Sequence, residues 1–191
     1  IINGTSTVLL ENDDAMIPAL LRSGRTLCEA RDYYVTGCWS VATNQEKHDH
    51  GNYVNLLKPL EYATHNATDK IEKTGIPFLV FDGCKSFEEI YQRTIKNCEL
   101  LLEERTEITR LGGRILNNVD IFPIFSSTIE NCIEKRADYT ANGAKYHDDH
   151  YLLFGLPNIV DSLIAIKTLV FDTQKYSLEE FLGAVRANWE G

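Results

Sequence analysis

Thr36-Gly37-Cys38-Trp39-Ser40 is the stretch of this sequence with the clearest capacity for chemistry. Cys38 carries a thiol, a group that can react or simply pack as a small hydrophobe. Gly37 lets the backbone turn sharply beside Cys38, and Trp39 supplies an aromatic surface that can pack the turn into a dry interior. Ser40 adds a hydroxyl that can hydrogen-bond a substrate but is a poor proton acceptor at neutral pH. By composition alone Cys38 reads as a structural thiol, since free cysteine is among the most buried residue types. His48-Asp49-His50 and His147-Asp148-Asp149-His150 have the look of metal-ligand clusters. Both fall in expected loops with no cysteine close in sequence, and they read as solvated polar turns.

The elements that must position these residues can be read from capping and periodicity. Thr26 with Glu29, Ser86 with Glu89 and Ser177 with Glu180 each form the Ser/Thr-x-x-Glu signature of a helix start. The first opens a short helix through Ala30-Arg31-Asp32. The second opens a long helix from Phe87 towards Leu111, ended by Gly112-Gly113. The third opens a C-terminal helix to about Asn188. Further helices are expected at Ala15–Arg22, Tyr53–His65, Ser127–Arg136 and Asn158–Phe171. Strands are expected at Tyr33–Trp39, Pro77–Phe81 and Tyr151–Leu153. Strands alternating with long helices predict an α/β class. The strands are few for so much helix, and Phe122, Phe125, Tyr151, Phe154 and Trp189 offer apolar surface that points to a larger fold. Gly83-Cys84-Lys85 and Gly112-Gly113-Arg114 lack phosphate-loop spacing and read as turns. Arg31 and Asp32 read as a hydrogen-bonded anchor at the base of the cysteine stretch.

Composition narrows the function classes. The 191 residues carry 19 Lys and Arg against 28 Asp and Glu, a net charge of −9, which argues against a surface for nucleic acid or anionic lipid. No apolar run is long enough to span a bilayer, and the N-terminal Ile1-Ile2-Asn3-Gly4-Thr5 has neither a charged nor an apolar signal region. The missing initiator Met makes residue 1 an expected artificial boundary. Five irregularly spaced cysteines with no CxxC pair suit the reducing cytoplasm, and most should be ordinary buried thiols.

The order of motifs is more specific than any one of them. Asn12-Asp13-Asp14, Ile17-Pro18-Ala19-Leu20-Leu21, Gly24, Glu29-Ala30-Arg31-Asp32-Tyr33 and Gly37-Cys38 lead into the cysteine stretch, and Asn55-Leu56-Leu57-Lys58-Pro59-Leu60-Glu61 follows it. Cys132-Ile133-Glu134, Asp138-Tyr139-Thr140, Gly143-Ala144-Lys145-Tyr146 and the run from Asn158 to Lys167 complete the series. From about Asn12 to Gly191 this order resembles the glycyl radical enzyme family of pyruvate formate-lyase and the diol dehydratases.

The resemblance implies an α/β barrel of which residues 1–191 form about one half-barrel, with the cysteine loop near residues 36–41. It implies that Cys38 becomes a thiyl radical that abstracts hydrogen from a small organic substrate, in a dehydratase, lyase, decarboxylase or formate acetyltransferase-like reaction. It also implies a glycyl radical installed by a radical-SAM activating enzyme and a homodimeric parent. The chain itself is expected to bind no cofactor and no metal. The family's Arg-Val-x-Gly-aromatic radical motif does not occur in these residues, so the glycine radical domain is expected to lie outside them and the isolated chain to be inactive. Two departures bear on the reaction. Gly37 precedes Cys38 where pyruvate formate-lyases carry an acylated cysteine, and Ser40 stands where dehydratases carry a general-acid or general-base Glu. Cys38 and Ser40 are the catalytic candidates, with His50 and Asn52 as candidates for substrate contact. Glu46, Asp49 or His50 could supply the missing proton acceptor. The rival reading is a non-catalytic scaffold or binding domain that has kept the fold and lost the chemistry.

Overall fold

A computed structural model describes residues 11–36, 40–47, 52–66 and 74–190. The chain divides into two compact units. One comprises Ile1–His50 and Gly113–Asp149, the other Gly51–Gly112 and His150–Gly191.

In the first unit, helix α1 (Asp13–Arg22) starts at Asn12, whose side-chain oxygen accepts the Asp14 N–H. Helix α2 (Leu27–Arg31) has the expected capping box: Thr26 Oγ1 accepts the Glu29 N–H at 3.3 Å, and the Glu29 carboxylate accepts the Thr26 N–H at 2.8 Å. Strands β1 (Tyr34–Thr36) and β2 (Ser40–Ala42) pair antiparallel with Thr36 opposite Ser40. β-Branched Val35, Thr36 and Val41 suit this pairing. Ser40 and Val41 therefore belong to a strand, where the sequence placed them in a loop.

Of the helix expected at Ser127–Arg136 only the short α6 (Cys132–Lys135) forms, preceded by a second short helix, α5 (Pro123–Ser126), ahead of that range. Asn131, in the left-handed region at φ 73°, breaks the run between them. Asp138 ties the loop together by accepting hydrogen bonds from the Phe122 and Thr140 N–H groups and from the Ser126 and Thr140 hydroxyls. Gly143 is required where it stands, since a Cβ there would lie 2.3 Å from the Ala137 carbonyl oxygen and 2.8 Å from the Cys132 sulfur.

In the second unit, strand β3 (Asn52–Asn55) pairs parallel with β4 (Tyr151–Phe154), with Asn52 opposite Tyr151. The Tyr53 and Phe154 rings stack across the pair, centroids 5.5 Å apart. The sequence placed Tyr53 in a helix. Helix α3 (Leu57–His65) starts only after the strand, its Leu57 N–H bonded to the Asn55 side chain.

Helix α4 (Phe87–Val119) runs through Gly112 and Gly113, which were expected to stop it. A glycine ends a helix when it takes positive φ at the cap. Neither glycine does so here, and each costs only about 1 kcal/mol relative to Ala in a helix that resumes at Arg114. Ser86 caps its start, and the reciprocal Glu89 bond goes to the Lys85 N–H, one residue upstream of the expected one. Helix α7 (Leu156–Ile166) passes into a π-helical turn, Lys167–Asp172, and α8 (Leu178–Arg186) carries the expected Ser177/Glu180 box. Phe81, Ile90, Ile166 and Leu182, all buried, form the centre of this unit's core, each side chain contributing about 1.5–3 kcal/mol.

Residues 77–81 do not form the expected strand. The fully buried Asn97 of α4 takes the place of a neighbouring strand: its Oδ1 accepts the Leu79 N–H at 2.7 Å and its Nδ2 donates to the Leu79 carbonyl at 2.8 Å. Phe122, Phe125, Phe154 and Trp189 each expose 40% or more of their surface, as expected of a chain with further surface to cover, whereas Tyr151 is half-buried.

Two measurements follow from these contacts. Asn97→Leu should lower stability by about 2 kcal/mol or more in chemical denaturation, because both polar groups of Leu79 lose their partner. A loss within experimental error would show that the amide does not hold this segment. The Glu29 carboxylate, which binds Lys145, the Thr26 cap and Tyr146, is lowered from 4.5 to about 2. A depressed carboxylate stabilises the folded state above its unfolded pKa and loses that contribution as pH falls through the folded one. The Glu29 contribution should therefore be complete above about pH 4.5 and fade towards pH 2, and Glu29→Gln should flatten that part of the stability profile. A Glu29 NMR titration midpoint near 4.5 would contradict the assignment.

Candidate functional site

Gly37, Cys38 and Trp39 lie outside the described residues, as do His48, Asp49 and His50. The strands that flank Cys38 in sequence are paired with each other. Thr36 and Ser40, the last and first residues of β1 and β2, are cross-strand partners, so the backbone leaves and re-enters the pair at one register position. Ser40 is half-buried. Beyond the half-buried Val41, Ala42 and Thr43 are fully buried.

Beyond β2 the chain is fixed to residues 145–148. Glu46 and Tyr146 form a parallel bridge. The Lys145 and Tyr146 N–H groups donate to the Gln45 carbonyl, and the Lys47 N–H donates to the Tyr146 carbonyl at 2.8 Å. At the centre is Arg25, only 4% exposed. Its guanidinium donates to both the Glu46 and Asp148 carboxylates and lies 4.5 Å from the centre of the Tyr146 ring. Burial works against the charge on Arg25, but the hydrogen bonds to Asp148 and Glu46 outweigh it and hold the group above its ordinary value. Arg25 Nε, Thr43 Oγ1 and Glu46 Oε1 are buried without a hydrogen-bond partner among the described residues.

This geometry corrects two sequence readings. Glu46 is 2% exposed and paired with Arg25, so it is not a free proton acceptor for substrate chemistry. Arg31 and Asp32 are exposed, and the anchor they were expected to form is made by Arg25 instead. No spacing rule could have found it, because Arg25 and Asp148 are 123 residues apart.

Asn52 belongs to the second unit, at the start of β3. Its Oδ1 accepts the Thr109 hydroxyl at 2.9 Å, and its buried Nδ2 has no partner among the described residues. Its amide is thus oriented through the oxygen, and both N–H donors of Nδ2 lack a partner among those residues.

Of the other cysteines, Cys84 and Cys132 are buried and Cys98 half-buried, and burial pushes all three thiols up, as suits structural residues. Cys28, on α2, is exposed. Among the described residues no group of three or more His, Cys, Asp and Glu could hold a metal ion. Asp148 is engaged by Arg25, and burial holds the His147 imidazole below its ordinary value. Among the described residues no helix is long and apolar enough to cross a membrane.

Comparison with known proteins agrees with the order of motifs. The pyruvate formate lyase-like family model matches residues 1–191. The chain is 32% identical over 187 residues to (2S)-3-sulfopropanediol dehydratase of Klebsiella oxytoca, covering 95% of this chain and 22% of that protein. It is 30% identical over 187 residues to trans-4-hydroxy-L-proline dehydratase of Clostridioides difficile, covering 94% of this chain and 23% of the relative. The crystal structure of the latter, with trans-4-hydroxy-L-proline bound, superposes with a TM-score of 0.82 at 30% identity, over 94% of this chain and 23% of that one. The chain thus spans about a quarter of the length of the curated relatives it matches, and its α/β structure is part of the barrel those enzymes form. It belongs to the pyruvate formate lyase-like family of glycyl radical enzymes.

Proposed function

We propose that the whole protein carrying this chain is a glycyl radical enzyme in which Cys38 is the hydrogen-abstracting thiol. Membership of the family, together with the Thr36–Ser40 pairing that brackets Cys38, carries this reading. The radical, installed outside these residues by a radical-SAM activating enzyme, supplies an unpaired electron that draws a hydrogen atom from the Cys38 thiol. Cys38 then takes hydrogen from a substrate C–H bond, and after rearrangement or bond cleavage it returns hydrogen to the product radical. The protein's task is to hold the substrate carbon close to sulfur and keep water and oxygen out. A homodimeric parent in the cytoplasm fits the same reading, as does a domain plan in which residues 1–191 carry the cysteine and another segment the glycine.

Ser40 separates the reaction from the base-assisted elimination of the diol dehydratases. Gly37 has no side chain to acylate, which sets it apart from pyruvate cleavage through an acylated cysteine. A hydroxyl beside Cys38 suits a substrate that needs a hydrogen bond there and no proton acceptor. Asn52, whose amide NH2 is unpaired among the described residues, is a candidate for substrate contact, and His50 is retained as a candidate by the resemblance alone.

Two experiments test this. The 191-residue chain, incubated anaerobically with an activating enzyme and S-adenosylmethionine, should stay silent by electron paramagnetic resonance. The full-length protein should show a glycyl doublet. A doublet from the 191 residues alone would refute the division of labour. In the activated full-length protein, Ser40→Glu should abolish native turnover, because an unpartnered carboxylate would enter a dry pocket. A gain on diol substrates of about 10²–10⁴-fold would instead mark elimination chemistry. Equal turnover with Ser40, Ser40→Ala and Ser40→Glu would remove the residue from the reaction.

A further inference from the structure

Both legs of the β1–β2 pair are fastened to one short stretch, residues 145–148, by a set of charges that the proposed chemistry does not use. On the leg entering β1, Glu29 accepts from Lys145 Nζ at 2.6 Å and from the Tyr146 hydroxyl at 2.9 Å. On the leg leaving β2, Glu46 bridges Tyr146 through the backbone and receives the Arg25 guanidinium through its side chain. Arg25 joins the legs. It precedes α2 in sequence, reaches Glu46 with Nη2 and Asp148 with Nη1, and donates from Nη1 to Ser23 Oγ at 2.8 Å. Cations and anions alternate: Lys145 with Glu29, Arg25 with Glu46 and Asp148. Arg25 and Glu46 are almost fully buried, so neither can be released to solvent without rearranging the other.

We infer that Arg25 is a positioning residue for Cys38, a buried guanidinium that fixes both legs of the strand pair to residues 145–148 and so sets where the thiol is presented. This rests on the reading of Cys38 as the reacting thiol. Its partners on the page are Ser23, Glu46, Tyr146 and Asp148, and it is assigned no step in the chemistry. A planar guanidinium is required because it must meet two carboxylates in different directions while lying over the Tyr146 ring, which a point charge on a lysine cannot do. A displacement of about 1 Å at a reacting atom costs roughly 10²-fold in rate.

The test uses Arg25→Lys, Arg25→Met and the paired Arg25→Met/Glu46→Leu, which removes the charge without leaving a buried carboxylate alone. Peptide-resolved thiol labelling of the native chain should modify Cys38 about tenfold or more faster in the paired variant than in the wild type, with Cys98 unchanged as internal reference. In the activated full-length protein the same variant should lose about 10²-fold in kcat with KM little altered. Arg25→Lys, which keeps the charge and avoids the bare carboxylate should the other variants fold poorly, should recover part of both effects. Faster Cys38 labelling in a protein that turns over nothing even as wild type would uphold Arg25 and reject the radical reading. Wild-type Cys38 labelling and an unchanged kcat in a folded paired variant would overturn the inference, as would an equal rise in Cys98 labelling, which marks general loosening.

Discussion

A guanidinium cannot be buried alone. Arg25 is held out of water, and that single constraint organises the first unit, because the charge has to be met by carboxylates that are themselves fixed. Glu46 and Asp148 meet it, Tyr146 covers it, and the backbone bridge between Glu46 and Tyr146 keeps those groups in register. Removing one partner of such a pair typically costs about 3–5 kcal/mol, mostly through the charge left behind. The family motif Gly143-Ala144-Lys145-Tyr146 acquires a physical meaning here. Gly143 permits the close approach of Ala137 and Cys132, Ala144 packs without exposure, and Lys145 and Tyr146 secure the leg leading to β1.

The second unit is organised by apolar burial and by two polar side chains that stand in for backbone. Asn97 completes the hydrogen bonding of Leu79 where no strand is present, and Asn55 starts α3 by accepting the Leu57 N–H. The parallel β3–β4 pair needs a long crossover between its strands, and α3 and α4 fall within that connection. Asn52 opens β3 with its amide fixed by Thr109.

Much of this was legible in the sequence, and the failures have identifiable causes. Capping boxes at Thr26 and Ser177 were read correctly because their chemistry is contained within four residues. The α/β class and the family could be read from the order of short motifs along the chain. Tyr53 and Val54 were assigned to a helix because the periodicity of Leu57–His65 extends backwards into them, and only the partner strand at Tyr151–Phe154 reveals β3. Gly112-Gly113 looked like a stop because glycine's backbone freedom, not its occupancy of a helix, was used to read it. Arg25 was missed altogether. Its partners lie 21 and 123 residues away, and no local pattern encodes a pairing at that range.

The central claim, that Cys38 relays hydrogen between the radical site and carbon, can be tested without knowing the substrate. A thiol exchanges its hydrogen with solvent, whereas a glycine Cα–H does not do so readily. In the activated full-length protein transferred to D₂O, a Cys38 relay should replace the glycyl α-hydrogen by deuterium and collapse the electron paramagnetic resonance doublet towards a singlet. Cys38→Ser should form the same radical and keep its doublet. Collapse at an equal rate in Cys38→Ser, or a persistent doublet in the wild type, would contradict the relay.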